Sequence, residues 1–265
     1  MGLSRPEKLR SMLDAWEPHS VATSAYLKTH GITPQDLQNY TSSRWLVSLG
    51  RGAFKRPMET VTWQGALYSL QTQLGLPVHV GALTALEMSG NNHYVRFAKT
   101  RAYLFSPLNA ALPLWFRTHW GDDVRHVQTK LLPPDVGLTE QQAPEGFDLK
   151  TSGVERAALE LLHLAPKEFD LVEAGMIIES MTSIRPKLMQ TLLEQCASIK
   201  VRRLFLYLAE RANLPVMRHL DLDRIDLGTG DRSLVPNGPA AARHPAASDG
   251  GAGLRAEGWD RHQSV

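Results

Sequence analysis

The sequence predicts an α+β protein: a winged helix-turn-helix at the N-terminus, followed by a mixed α/β domain rich in helices. Three observations predict it. Residues 6–56 run helix, helix, turn, helix, hairpin; a middle stretch interleaves short strand-like runs with helices; and from Ser152 onward the apolar periodicity is helical. The domains expected are 1–57 (winged), 58–235 (α/β) and 236–265 (a disordered tail).

The first helix carries Leu9, Met12, Leu13 and Trp16 at i, i+3, i+4 and i+7, one buried face. A short helix over residues 24–29 starts behind Thr23, an N-cap type. Gly31 then supplies the left-handed conformation of a tight inter-helix turn. Thr33 caps the third helix, with Pro34 at its first position and Asp36 at capping-box spacing. Ile32, Leu37 and Tyr40 of this helix point inward. Gln35, Gln38, Asn39, Ser42 and Ser43 are left toward solvent, with no apolar residue among them.

Amides and hydroxyls suit base edges in a major groove, since Asn and Gln can meet adenine with two hydrogen bonds. An ordinary solvated helix has the same composition, and the adjoining segment of chain separates the two readings. The runs 45–49 and 53–56 are strand-like and are joined by Gly50-Arg51-Gly52, whose glycines accept positive φ. A hairpin after a capped polar helix is a wing, and Arg51 at its tip is placed for phosphate or a minor groove. Residues 1–57 hold eight Lys or Arg against four Asp or Glu, a net +4 in a chain of net +2. A basic module on a slightly acidic body is the asymmetry of a domain that meets a polyanion.

In the middle region Trp63, Leu67, Leu70 and Leu74 share a helical face that closes at Gly75, and residues 77–80 are strand-like. A short helix through Thr84, Ala85, Leu86 and Met88 ends at the turn cluster Gly90-Asn91-Asn92. Strands are predicted at 101–105, 124–129 and 147–150, with Pro133-Pro134 among the connections. Ser152 and Glu155 have capping-box spacing ahead of a stripe of Ala158, Leu159, Leu162 and Leu164. Helices near 169–182, 187–197 and 199–213 follow. The last carries Lys200, Arg202, Arg203 and Arg211, a solvated face or an interaction surface. Beyond 236 the chain is Pro, Ala, Gly, Ser, His and Arg without apolar period, the composition of a disordered tail.

With 265 residues, 43% hydrophobic, the chain has room for about two domains with cores. The single cysteine, Cys196, lies in an apolar run, which excludes a disulfide framework and predicts a packing role in a reducing cytoplasm. There is no apolar signal core, and no run approaches the roughly 18 apolar residues of a membrane span. No zinc-protease, Cys-x-x-Cys, nucleophile-elbow or phosphate-loop motif occurs, and no cofactor is expected. One fragment has nuclease-like residue types: Asp135 followed by Asp148 and Lys150, paired acids for a divalent ion and a lysine.

The segments TSAYLKTHG at 23–31 and WLVSLGRGAF at 45–54 resemble the N-terminal domain of AbiEi-type antitoxins of bacterial type IV toxin–antitoxin systems. The resemblance continues through WQGALYSLQTQLGLPVHV at 63–80, VERAALELL at 154–162, RPK at 185–187 and KVRRLFLYLA at 200–209, covering about 6–232. It implies a two-domain protein whose winged domain binds inverted repeats in promoter DNA and represses its own operon. The C-terminal domain would counter a nucleotidyltransferase-like toxin. On that resemblance the DNA contacts are Gln35, Gln38, Asn39, Ser43, Arg44, Arg51 and Lys55. The recognition helix is less basic than many in the family, which would shift phosphate affinity to Arg44, Arg51, Lys55 and Arg56. A second departure is the Pro/Ala/Gly end, where relatives continue with a basic, strand-forming segment. A non-enzymatic antitoxin leads this reading; a metal-dependent DNA nuclease and a ligand-sensing winged-helix regulator are the alternatives.

Overall fold

The computed structural model describes residues 5–90 and 101–229, together with the backbone of two short paired strands, Arg232–Ser233 and Ala240–Ala241. Ala240–Ala241 apart, the expected tail lies outside the described residues, as do Asn91 and Asn92.

The N-terminal block keeps the predicted order with one addition, the short strand β1: α1 (Arg5–Ala15), β1 (Ala22–Thr23), α2 (Ser24–Thr29), α3 (Pro34–Ser42), β2 (Val47–Gly50) and β3 (Ala53–Lys55). The hydroxyl of Thr23 accepts from the Tyr26 amide at the start of α2. At α3 the capping box is complete: Thr33 Oγ1 accepts from the Asp36 amide and Asp36 Oδ2 accepts from the Thr33 amide at 3.0 Å. Gly31 takes φ +74 between the helices. β3 lies between β1 and β2, antiparallel to both. Beneath them Met12, Trp16, Ala22, Leu27, Ile32, Tyr40 and Leu46 form a core of their own, with Leu37 half-buried against it.

The body continues with α4 (Trp63–Thr72), β4 (His79–Val80), α5 (Ala82–Met88), β5 (Ala102–Ser106), α6 (Leu114–Trp120), β6 (Val124–Gln128), β7 (Leu138–Gln142) and β8 (Asp148–Ser152). Four helices close it: α7 (Val154–Leu164), α8 (Leu171–Glu179), α9 (Pro186–Gln195) and α10 (Ile199–Arg211), followed by 3-10 turns at Pro215–His219 and Leu222–Arg224. The five strands are ordered β6-β5-β4-β8-β7. β5 and β6 are parallel, as are β4 and β8, while β4–β5 and β7–β8 are antiparallel.

Three local expectations fail for physical reasons. α4 stops at Thr72, and Leu74, expected on its buried face, is 37% exposed, because Gly75 turns the chain and the Leu76 amide returns to the Leu70 carbonyl. α6 and β7 are additions to the predicted elements: α6 is a seven-residue piece between Pro113 and Gly121, and β7 reads as a polar connection until β8 pairs with it. Ser152 and Glu155 do not cap α7. Gly153 is its N-cap residue without a side-chain bond.

Both side chains are diverted into the core. Ser152 Oγ donates to Glu160 Oε2 at 2.7 Å, and Glu160 Oε1 also accepts from Arg156 Nε at 2.8 Å and lies 2.9 Å from His79 Nε2. The Ala82 amide at the start of α5 donates to the same carboxylate. Burial alone would raise the Glu160 carboxyl; its partners, His79 first, outweigh that and hold it below its ordinary value. Glu155 instead accepts from the Arg185 amide and its guanidinium at 2.8–3.0 Å. A buried carboxylate needs donors more than a helix end needs a cap.

Candidate nucleic-acid interface

The solvent face of α3 is built as its sequence implies. Gln35, Gln38, Ser42 and Ser43 are exposed and Asn39 is half-buried, its Oδ1 3.5 Å from Gln35 Nε2. Ser42 and Ser43 donate their hydroxyls to the carbonyls of Gln38 and Asn39, at 2.9 and 2.6 Å. Their oxygens therefore face outward as acceptors. Since Asp36 and Tyr40 are buried on the inner side with Leu37 half-buried beside them, the outer side is left to amides and hydroxyls.

The hairpin is compact. Gly50 at φ +125 and Gly52 at φ +80 flank Arg51, which is exposed at the tip, and a register shift separates Ser48 from Gly50. The body supports it from behind. The Leu49 carbonyl is 2.9 Å from His119 Nε2 on α6, and a Cβ at Gly50 would stand 3.3 Å from the Trp115 Cβ. Trp120 Nε1 donates to the Val61 carbonyl. From α4, Gln73 accepts from the Thr23 amide and donates to the Val21 carbonyl, each at 2.8 Å, while Ser69 Oγ accepts from the Val21 amide. Val21, Leu49 and Ala53 are buried in the body's core rather than in the smaller N-terminal one.

The cations divide. Arg44 is exposed at the end of α3 and Arg51 at the wing tip. Lys55 is half-buried, its Nζ donating to the Glu59 carbonyl at 2.8 Å. Arg56, expected to hold phosphate, is turned inward: its guanidinium donates to the carbonyls of Leu13 and Trp16, pairs with Glu59 at 3.2 Å and lies 5.1 Å from the Trp16 ring centroid. The reason is the end of α1, whose last carbonyls carry partial negative charge and draw the nearest arginine.

Two family models match this chain. One, described as "Transcriptional regulator, AbiEi antitoxin N-terminal domain", covers residues 5–97; the other, "Transcriptional regulator, AbiEi antitoxin, Type IV TA system", covers 99–245. The chain belongs to the AbiEi antitoxin family. It is thus a member of a family of transcriptional regulators of type IV toxin–antitoxin systems. The first AbiEi match runs past the hairpin and through α4, whose Ser69 and C-cap residue Gln73 bond the backbone at Val21 and Thr23. Among solved structures, RV2827C protein from Mycobacterium tuberculosis is similar in fold, with a TM-score of 0.56 over 83% of each chain at 14% identity. No curated protein matches.

The AbiEi body does not assemble the nuclease constellation. β7 and β8 pair with Leu138 opposite Ser152 and Gln142 opposite Asp148, so Asp148 sits at one end of the ladder and Asp135 lies beyond the other. Four residues of strand already separate those ends by about 13 Å. Among the described residues no group of three or more His, Cys, Asp or Glu is placed to hold a metal ion. Of the four cations on α10 only Arg211 is exposed, at its last position. Lys200 donates to the His163 and Ala165 carbonyls past α7, Arg203 to those of Leu227 and Gly228, and Arg202 is buried 3.6 Å from Asp226. Cys196 is buried as expected, and burial pushes its thiol up. No helix among the described residues is long and apolar enough to cross a membrane.

Proposed function

We propose that the chain is a non-enzymatic antitoxin and autorepressor of the cytoplasm. α3 and the wing bind promoter DNA carrying inverted repeats, and the body counters a cognate nucleotidyltransferase-like toxin. Gln35, Gln38, Asn39 and Ser43 read bases; Arg44 and Arg51 carry most of the phosphate contact, with Lys55 a secondary one. The observation that carries this reading is the outer face of α3. Its caps and apolar side are consumed internally, leaving a surface of amides and acceptor hydroxyls next to two exposed arginines. We assign the winged role to 1–57, the toxin-opposing role to 58–235, and no part in DNA binding to 236–265.

The test is binding of the full chain to its own upstream duplex and to a scrambled one across salt concentrations. Asn39→Ala should reduce the preference between them by about 1–3 kcal/mol. Arg51→Ala should weaken both and flatten the salt slope by about one unit. Equal affinity of the wild-type chain for both duplexes at every salt concentration refutes sequence-specific recognition. Co-expression with the neighbouring toxin gene tests the second role: the chain should restore growth, and failure to do so removes the antitoxin half of the proposal.

A further inference from the structure

At the end of α3 a residue occurs where its backbone is least at ease. The helix closes with the Trp45 amide donating to the Tyr40 carbonyl at 2.8 Å and the Arg44 amide to the Thr41 carbonyl at 3.1 Å. That double bond pattern puts one residue in the left-handed region, a place glycine usually takes because a Cβ is disfavoured there. Here it is Arg44, at φ +59, and its guanidinium is exposed. The residue after it normally folds back onto the last turn. Trp45 instead stands 54% exposed, and Val47, two residues on, is 37% exposed while Leu46 between them is buried. A strained arginine and an outward indole thus border the polar face of α3.

Resting on the reading that α3 faces DNA, we propose that Arg44 and Trp45 form a backbone clamp on duplex DNA. Arg44 pairs with a phosphate and Trp45 lays its ring against the adjacent deoxyribose, with Nε1–H directed to a phosphate oxygen. The occupant is argued from charge and chemistry. No carboxylate occurs in the sequence between Asp36 and Glu59, whereas Arg44 and Arg51 are exposed there. The indole follows exposed Ser42, Ser43 and Arg44 along the chain, with Val47 the one other exposed apolar residue in the segment 42–51, which suits an anionic, amphipathic backbone better than a packed protein core. The strain at Arg44 is then retained for its cation, since glycine would close the helix better but bring no charge.

The experiment uses the full chain, its upstream duplex and a scrambled duplex. Trp45→Ala should weaken both about tenfold, leaving the salt slope unchanged because the indole is neutral. Trp45→Phe should fall between. Arg44→Gly should raise the thermal midpoint yet lower affinity for both duplexes and flatten the slope by about one unit. Adding duplex should quench an emission component of the wild-type chain that Trp45→Phe lacks. Wild-type affinity in Trp45→Ala, or a lowered midpoint in Arg44→Gly, overturns the clamp while leaving α3 as the reader. A wild-type dimer that Trp45→Ala converts to monomer also overturns it, assigning the indole to a second copy. A wild-type chain that binds neither duplex overturns both readings.

Discussion

Thr33 and Ser152 open the same motif, a hydroxyl three residues ahead of a carboxylate, in two different regions of the molecule. In the winged block Thr33 and Asp36 bond each other's backbone and cap α3. In the body Ser152 goes to Glu160 and Glu155 to Arg185, thirty positions away in sequence, and α7 starts uncapped. The cations differ in the same way. Arg44 and Arg51 stay exposed, while Lys200 and Arg203 are drawn onto carbonyls and Arg202 is buried beside the exposed carboxylate of Asp226. A local motif keeps its local partner where no buried charge competes for it. Beside Glu160, at the meeting of β8, β4 and α7, the demand for donors in a low-dielectric site is stronger than the demand of a helix end.

The widest gap between the regions should appear on removing Arg156. Its guanidinium holds Glu160 and donates to the Pro133 and Val136 carbonyls at 2.6 Å, so Arg156→Ala leaves a buried carboxylate short of a partner. Urea denaturation should show a loss of about 3–5 kcal/mol. A loss below about 1 kcal/mol would mean the Glu160 cluster is not the body's lock.

Gln73→Ala tests whether the two regions are separate at all. It removes the bonds to Thr23 and Val21, leaving a backbone amide and carbonyl unpaired, at a cost of about 1–3 kcal/mol. If the winged block is tied to α4, the variant should unfold in one transition and bind DNA more weakly. Two separated transitions would show the block to be autonomous.

Between the two hydroxyls the contrast is smaller. Ser152→Ala should cost about 1.5–3 kcal/mol, as for a hydrogen bond to a charged group, and Thr33→Ala about 1 kcal/mol, as for a cap. Equal losses would erase the distinction between the motifs.

The smallest effect is in pH. Burial, then Arg125 and Arg117, push His126 down to about 4, and burial, then Lys200, lower His163. Below about 6.5 the unfolded chain binds protons at these rings that the folded chain does not. Stability therefore falls as pH drops below about 6.5, and from about pH 5 downward the lowered carboxyls of Glu155 and Glu160 add to the fall. His126→Gln should remove one proton from that slope in denaturation curves at pH 6.5 and 4.5. An unchanged slope would return the effect to other groups.

Most of the winged block was legible in local spacing: the face of Leu9, Met12, Leu13 and Trp16, the caps at Thr23 and Thr33, the turn at Gly31, the polar side of α3 and the hairpin glycines. Each rests on partners a few residues apart, so local spacing contains the geometry. Long-range packing set the rest: Arg56 closes α1, Ser152 and Glu155 leave their helix, β7 is a strand and α6 supports the wing. It also decided that Asp135 and Asp148 stand apart. Those outcomes depend on which buried or terminal group lies nearest in space, and that neighbour is set by chain segments whose separation along the sequence carries no mark of their meeting.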